Sequence, residues 1–175
     1  MTTSRSGSLP SLSYSSFQLW SLVILRIFIG WHFLYEGLVK LVNPYWSSMG
    51  YLLESKGLFS SLFISLAASP TAVRIVDFLN IWGLILIGFG LITGLFTRIS
   101  SVLGMILLLF YYLSQPPFIG LESALPTEGS YLLVNKTLIE MAALLVLFAL
   151  PTGQHAGLDL FLWKRKDIVL PGDKS

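Results

Sequence analysis

Cysteine is absent from this 175-residue chain. Its absence excludes disulfides, thiolate-held iron–sulfur clusters and dithiol exchange of the Cys-x-x-Cys kind. Histidine is nearly absent too: His32 and His155 fall at very different depths of the membrane arrangement derived below, which argues against a bis-histidine haem. The sequence carries no dinucleotide-binding fingerprint and no metal-ligand cluster. Charge is scarce, with 11% of residues charged against about 25% in soluble domains. A net charge of +2 is too small to mark a nucleic-acid partner.

Apolar surface fills the chain instead. Hydrophobic residues make up 54% and the mean hydropathy is +0.76, which identifies an integral membrane protein in contact with a lipid bilayer. The length holds about four spans of ~20 residues with short connections and leaves no room for a second, soluble domain. The expected fold is therefore an all-α antiparallel four-transmembrane-helix bundle, with an extra interfacial amphipathic helix between spans one and two. Residues 1–16 read as a solvated, serine-rich tail, 17–163 as the membrane domain and 164–175 as a basic tail.

The first span covers about Phe17 to Val42; Arg26 interrupts it and no small-residue cleavage site follows, which reads as an uncleaved anchor. Asn43-Pro44-Tyr45-Trp46 then ends the helix at a headgroup boundary. Between Gly57 and Ser69, apolar residues recur at spacings of three and four over a stretch too short to span, the pattern of a helix lying in the interface. Span two follows Pro70, about Ala72 to Phe96. Its Gly90 and Gly94 form a small-xxx-small pair for close helix approach, or reflect only the ordinary glycine content of membrane helices. Span three covers about Ile99 to Ser114 and span four about Tyr131 to Leu150.

Lysine and arginine near the span ends set the orientation. With the N-terminus inside, Arg5, Arg98 and Lys164-Arg165-Lys166 lie inside, against Lys40, Lys56 and Arg74 outside. Both termini are then cytoplasmic and Glu122 and Glu128 face outward; in a bacterium the membrane would be the cytoplasmic (inner) one, with the periplasm outside.

The ionisable residues inside the spans are the functional clue, because a charge at a helix centre costs several kcal/mol in hydrocarbon and so faces a protein interior or a wet cavity. On a helical wheel Glu36 lies ~40° from His32, Lys40 ~80° and Arg26 ~120°. Arg74, Asp77 and Asn80 share a face of span two near its outer end. Span three ends outward with Tyr111, Tyr112 and Gln115; span four begins outward with Asn135, Lys136 and Glu140. Antiparallel helices must place such residues at opposite sequence ends for them to meet at one depth, and these do. Glu36 and Glu140 fall on the order of 10 Å below the outer surface, with Arg26 placed to compensate a carboxylate from below.

Plainer readings stay open beside this one. Lys40 and Arg74 fit snorkelling side chains near helix ends. Lys136 and Glu140, at i and i+4, fit a pair satisfied on one helix. Tyr111, Tyr112, Trp46 and Tyr131 fit an interface belt. His32 and Glu36 lie deeper and resist such explanations.

Three stretches carry a resemblance. Arg26-Ile27-Phe28-Ile29-Gly30, Gly37-Leu38-Val39-Lys40-Leu41-Val42-Asn43-Pro44 and Gly157-Leu158-Asp159 resemble the DoxX and DoxD family of small four-helix bacterial membrane proteins, with a likeness extending over most of residues 17–163. The resemblance implies a membrane subunit of an oxidoreductase; the DoxD branch is similar to the small subunit of a thiosulfate:quinone oxidoreductase, working with a second subunit. Glu36 precedes the matched Gly37 block and takes no role from the family.

Chemistry of the residues leads to the same class. A quinone needs an apolar slot, aromatic neighbours, donors to its carbonyl oxygens and a protonable group nearby. His32 and Glu36 are the candidate proton-exchanging pair, with Arg26, Asp77, Asn80, Trp82, Tyr111, Gln115, Asn135 and Glu140 as candidate binding residues and Trp31 as a further ring contact. Electrons would arrive from a second protein docking on the extracytoplasmic side, since no motif holds an intrinsic haem, flavin or iron–sulfur cluster. A small proton-coupled transporter, or an anchor and assembly factor for a partner complex, is the alternative.

Overall fold

The computed structural model describes residues 15–117, 133–150, 152–154 and 156–160. The N-terminal tail before them, Glu122 and Glu128, His155 and the 164–166 basic cluster lie outside the described residues. Within them the protein is helical and contains no strand: α1 (Ser16–Val42), α2 (Met49–Leu53), α3 (Ser60–Ala67), α4 (Pro70–Thr93), α5 (Thr97–Ser114), α6 (Lys136–Ala149) and a short 3-10 turn, Thr152–Gln154.

Local chemistry sets the boundaries. Ser15 caps α1 in a reciprocal box with Gln18, Ser69 caps α4 with Pro70 in its first turn, and Asn135 caps α6; each side chain satisfies an amide that the helix leaves free. α4 stops at Gly94, whose φ of 68° is a left-handed conformation that glycine adopts without strain. Phe96 follows with φ 51°, a conformation costly for a bulky residue.

α1, α4 and α5 are each long and apolar enough to cross a membrane. Arg74 and Thr93 are ~29 Å apart along α4, close to the ~30 Å of a hydrocarbon core, and exposed Arg74 and Arg98 flank this interval. Large apolar side chains such as Phe28, Leu79, Leu86 and Ile139 are exposed between the two ends, as a lipid-facing surface requires. The fourth expected span is shorter than the sequence predicts: α6 has 14 residues, or ~21 Å, and the residues 118–132 before it lie outside those described. The segment read as an interfacial helix, between Gly57 and Ser69, holds the eight-residue α3, and the short α2 precedes it. Phe63 and Ala67 are buried against Leu52 and Val73, while Leu58, Phe59 and Leu62 are exposed.

α1 packs chiefly on α4, α4 on α5 and α5 on α6, whereas α1 and α6 meet at few points. The tight α1–α4 seam depends on glycines other than those the sequence singles out. A Cβ on Gly88 would strike the backbone of Leu34 and Gly30. Gly90 faces Ser100 of α5 instead, and Gly94 is the α4 cap. Ile29, Phe33, Leu84, Ile87, Leu91, Leu108, Leu144 and Leu147 form the common core.

Candidate functional site

Three helices, α1, α5 and α6, bring ionisable side chains to one cavity, and α4 adds Leu84. It has a volume of about 190 Å³, and its lining combines Phe33, Leu84 and Leu108 with His32, Glu36, Lys40, Tyr111, Lys136, Thr137 and Glu140. His32 Nδ1 and Glu140 Oε1 share a 2.8 Å hydrogen bond that bridges α1 and α6. The His32 side chain is 50% exposed and Glu140 15%. On the other side of the cavity Lys40 donates to Asn80 Oδ1 at 3.3 Å, and Asn80 Nδ2 donates to the Tyr111 hydroxyl at 2.5 Å. Lys40 also lies 3.7 Å from Glu36 Oε2 and over the rings of Trp46 and Tyr111, at 5.3 and 5.6 Å. These contacts fold the lysine inward and hold its charge by hydrogen bonding, ion pairing and cation–π attraction, in place of the snorkelling geometry expected near a helix end.

Depth follows from the helical rise. Asn80 is ~9 Å along α4 from Arg74, and His32 ~12 Å along α1 from Lys40, so the cavity extends from the level of Lys40 towards the middle of the apolar interval. The His32–Glu140 pair therefore lies deeper than a site confined near one surface. Behind the cavity, Tyr51 donates its hydroxyl to the Tyr111 carbonyl at 3.0 Å. Burial pushes the Tyr51 phenol up to about 12, so it stays protonated and the bond persists through neutral pH.

His32, Glu36, Tyr111 and Glu140 of the sequence-derived set meet here, with Asn80 one bond behind. The others do not line the cavity. Asp77 accepts from Ser47 Oγ and the Ser48 amide at 3.0 and 2.7 Å and fixes the α1–α2 link. Gln115 donates to the Glu54 carbonyl at 2.9 Å. Asn135 is spent on capping Leu138. Trp82 is exposed beside Phe78. Arg26 belongs to a separate cluster at the opposite end, because it lies ~9 Å along α1 from His32 on the far side of that pair from Lys40. There it is 2% exposed, with Nη1 donating to Thr152 Oγ1 at 3.1 Å and Nη2 to the Ala156 carbonyl at 2.7 Å.

That second cluster is organised by Asp159, which the sequence marks only as part of Gly157-Leu158-Asp159. Its Oδ1 accepts the Phe96 amide at 2.7 Å; its Oδ2 accepts the Thr97 amide and hydroxyl at 3.2 and 3.1 Å. The carboxylate thus caps the start of α5 and holds the left-handed Phe96 turn. Leu158 and Asp159 return backbone N–H bonds to Thr93 and Gly94, both at 3.0 Å.

Lys40, Lys136 and Thr137 complete the cavity lining beyond the set chosen from sequence. With both lysines charged, both glutamates ionised and His32 neutral, the ionisable lining sums to zero; protonating His32 makes it positive. Donors and acceptors of both signs thus surround an apolar floor, an arrangement able to orient a small polar ring and exchange protons with it.

Fold and cavity together define a polytopic helical membrane protein with a polar cavity among its membrane-spanning helices. The DoxX family model matches residues 21–115, and the chain belongs to that family. The match takes in α4, α5 and most of α1, including His32, Glu36, Lys40, Asn80 and Tyr111, and ends before Glu140. No curated protein and no solved structure matches the chain.

Proposed function

We propose that the protein is the membrane subunit of an oxidoreductase, passing electrons from a partner protein to a membrane quinone whose head group binds in this cavity. The observation that carries the reading is the His32–Glu140 hydrogen bond at the mouth of a cavity that also presents Glu36, Lys40 and Tyr111. A volume near 190 Å³ is below the ~300–1,000 Å³ of ordinary ligand pockets, so it suits a single ring and is too small for a flavin or a haem. His32 delivers a proton to one ring oxygen, with Glu140 holding the imidazole in position. Lys40 supplies positive charge to a second oxygen as negative charge develops on it, and Glu36, which lines the same cavity, is the second proton-exchanging group. Two electrons from the partner and two protons from these groups balance the reduction.

The alternative of a transporter is disfavoured by what lies beyond the cavity. Leu91, Leu144 and Leu147, outside the cavity lining, are fully buried in the apolar core shared by α1, α4, α5 and α6. In this proposal α6 belongs to a fourth span in an antiparallel bundle, α2 and α3 lie along the outer interface of a bacterial cytoplasmic membrane, and both termini are cytoplasmic. The partner docks on the extracytoplasmic segment 43–71, where Tyr45, Met49, Leu53 and Leu58 are exposed.

Gentle purification, followed by mass spectrometry of bound lipids and proteins together with an absorption spectrum, tests the function. A co-purifying quinone and a redox partner are expected; neither, with no redox band, returns the protein to the transporter or anchor class. Cysteines placed at Ser4, Ser123 and Ser175 test the topology. An impermeant reagent applied to intact cells labels Ser123→Cys alone, and labelling at Ser4→Cys or Ser175→Cys but not Ser123→Cys reverses the orientation.

A further inference from the structure

The boundaries of the cavity differ in how closely the described residues pack around it. At the Lys40 level it is roofed by the Lys40–Asn80–Tyr111 hydrogen bonds, with Trp46 against Lys40 and Tyr51 against Tyr111. Phe33, Leu84 and Leu108 supply its apolar lining. The α1–α4, α4–α5 and α5–α6 packings form its walls. The remaining side is the α1–α6 seam, where His32 and Glu36 are each about half exposed and a His32–Glu140 hydrogen bond crosses the gap. This side opens within the apolar interval, where the surroundings are hydrocarbon.

The flank of the seam has a chemistry of its own. On α1, Phe28 and Tyr35 fall ~40° and ~60° from His32 on the side away from the core, and Trp31 ~100°. All three are exposed, and the Trp31 and Tyr35 rings stack at 6.3 Å with 26° between planes. On α6, exposed Ile139 lies ~100° from Glu140. A hydrogen-bonding mouth is thus continuous with an aromatic and aliphatic strip facing lipid. An amphiphile with a polar ring and a long apolar tail matches both parts: donors and charges meet the ring oxygens, and the tail leaves through the seam without crossing a polar layer.

We propose that the cavity is loaded sideways from the bilayer through the α1–α6 seam, and that its ligand is a long-tailed quinone whose tail lies against Phe28, Trp31 and Tyr35. The inference rests on the quinone reading of the cavity. Loading parts the His32–Glu140 contact, which re-forms around the bound ring. A water-soluble ligand would need no such strip.

The absence of cysteine allows a clean test. Tyr35→Cys on α1 and Ile139→Cys on α6 are each labelled with a bulky apolar maleimide in nanodiscs; Leu109→Cys on the outward face of α5 is the control. Binding is measured for a decyl-tailed ubiquinone analogue and for its tail-free ring. Labels at Tyr35→Cys and Ile139→Cys are expected to weaken binding of the tailed compound at least tenfold and to leave the tail-free ring within twofold, while labelled Leu109→Cys binds both normally. Unchanged binding of the tailed compound in both seam variants overturns lateral loading and leaves the quinone site standing. Binding of neither compound by the unlabelled wild type overturns the quinone site itself, and the inference with it.

Discussion

α1 carries buried polar clusters at two levels, and they are built on opposite plans. At the Arg26 level, Asp159 accepts three hydrogen bonds from Phe96 and Thr97, and two guanidinium nitrogens of Arg26 have protein acceptors. The glycines around it leave no space: a Cβ on Gly153 or Gly157 would meet neighbouring atoms at once. At the His32 level, side chains of similar chemistry surround an opening, and His32 and Glu36 remain half exposed. Charges held in a closed site by backbone and hydroxyl partners support the fold, while charges arranged around a space are set to bind something. Charge within a span therefore identifies a site only when its partners leave room for a ligand.

The largest effect on stability is expected from Asp159→Ala. It strands three donors and releases the strained Phe96 turn, costing about 3 kcal/mol by the usual penalty for unmet buried partners; unfolding of the purified protein in micelles measures it. A variant as stable as wild type would erase the distinction between the two clusters. Glu140→Gln should do the reverse. Its bond to His32 is partly exposed, so the change in stability stays within about 1 kcal/mol, while turnover with the donor subunit drops about 100-fold, the scale of a lost acid–base pair. Parallel loss of folding and activity in that variant would make the cavity pair structural.

Lys40→Met separates charge from shape. It keeps the apolar stem and removes the cation, so quinone binding should weaken about tenfold, roughly one charge-assisted hydrogen bond, as read by titration in nanodiscs. Tyr111→Phe is the mildest. It removes the acceptor for Asn80 but preserves the ring beneath Lys40, costing about 1 kcal/mol of stability and only a few-fold in turnover.

The three long helices were legible because apolar runs and boundary residues such as Pro70 act locally; α1, α4 and α5 begin and end within a few residues of the positions the pattern indicates. The meeting of His32, Glu36, Tyr111 and Glu140 was legible for a geometric reason: alternating helix direction brings opposite sequence ends to a common depth. Pairing between helices was not. Helical periodicity offers Lys136 as a neighbour of Glu140, and only packing brings His32 within 2.8 Å of it. Asp77, Gln115 and Asn135 look identical in sequence whether they bond backbone or face a ligand, and here they are occupied by backbone bonds, with Ser47 also on Asp77. Arg26 shares the wheel face of His32, but lies further along the helix and meets Thr152 and Ala156. The role of Asp159 was hidden because its partners are 62 and 63 residues away.

The most direct test of the central claim compares binding of the decyl-tailed ubiquinone analogue by wild type and Glu140→Gln in nanodiscs, with the melting temperature of each sample recorded. The account predicts saturable binding by wild type and at least tenfold weaker binding by the variant at an essentially unchanged melting temperature. Equal affinity in the two proteins, or weaker binding that appears only together with a large fall in melting temperature, would contradict it.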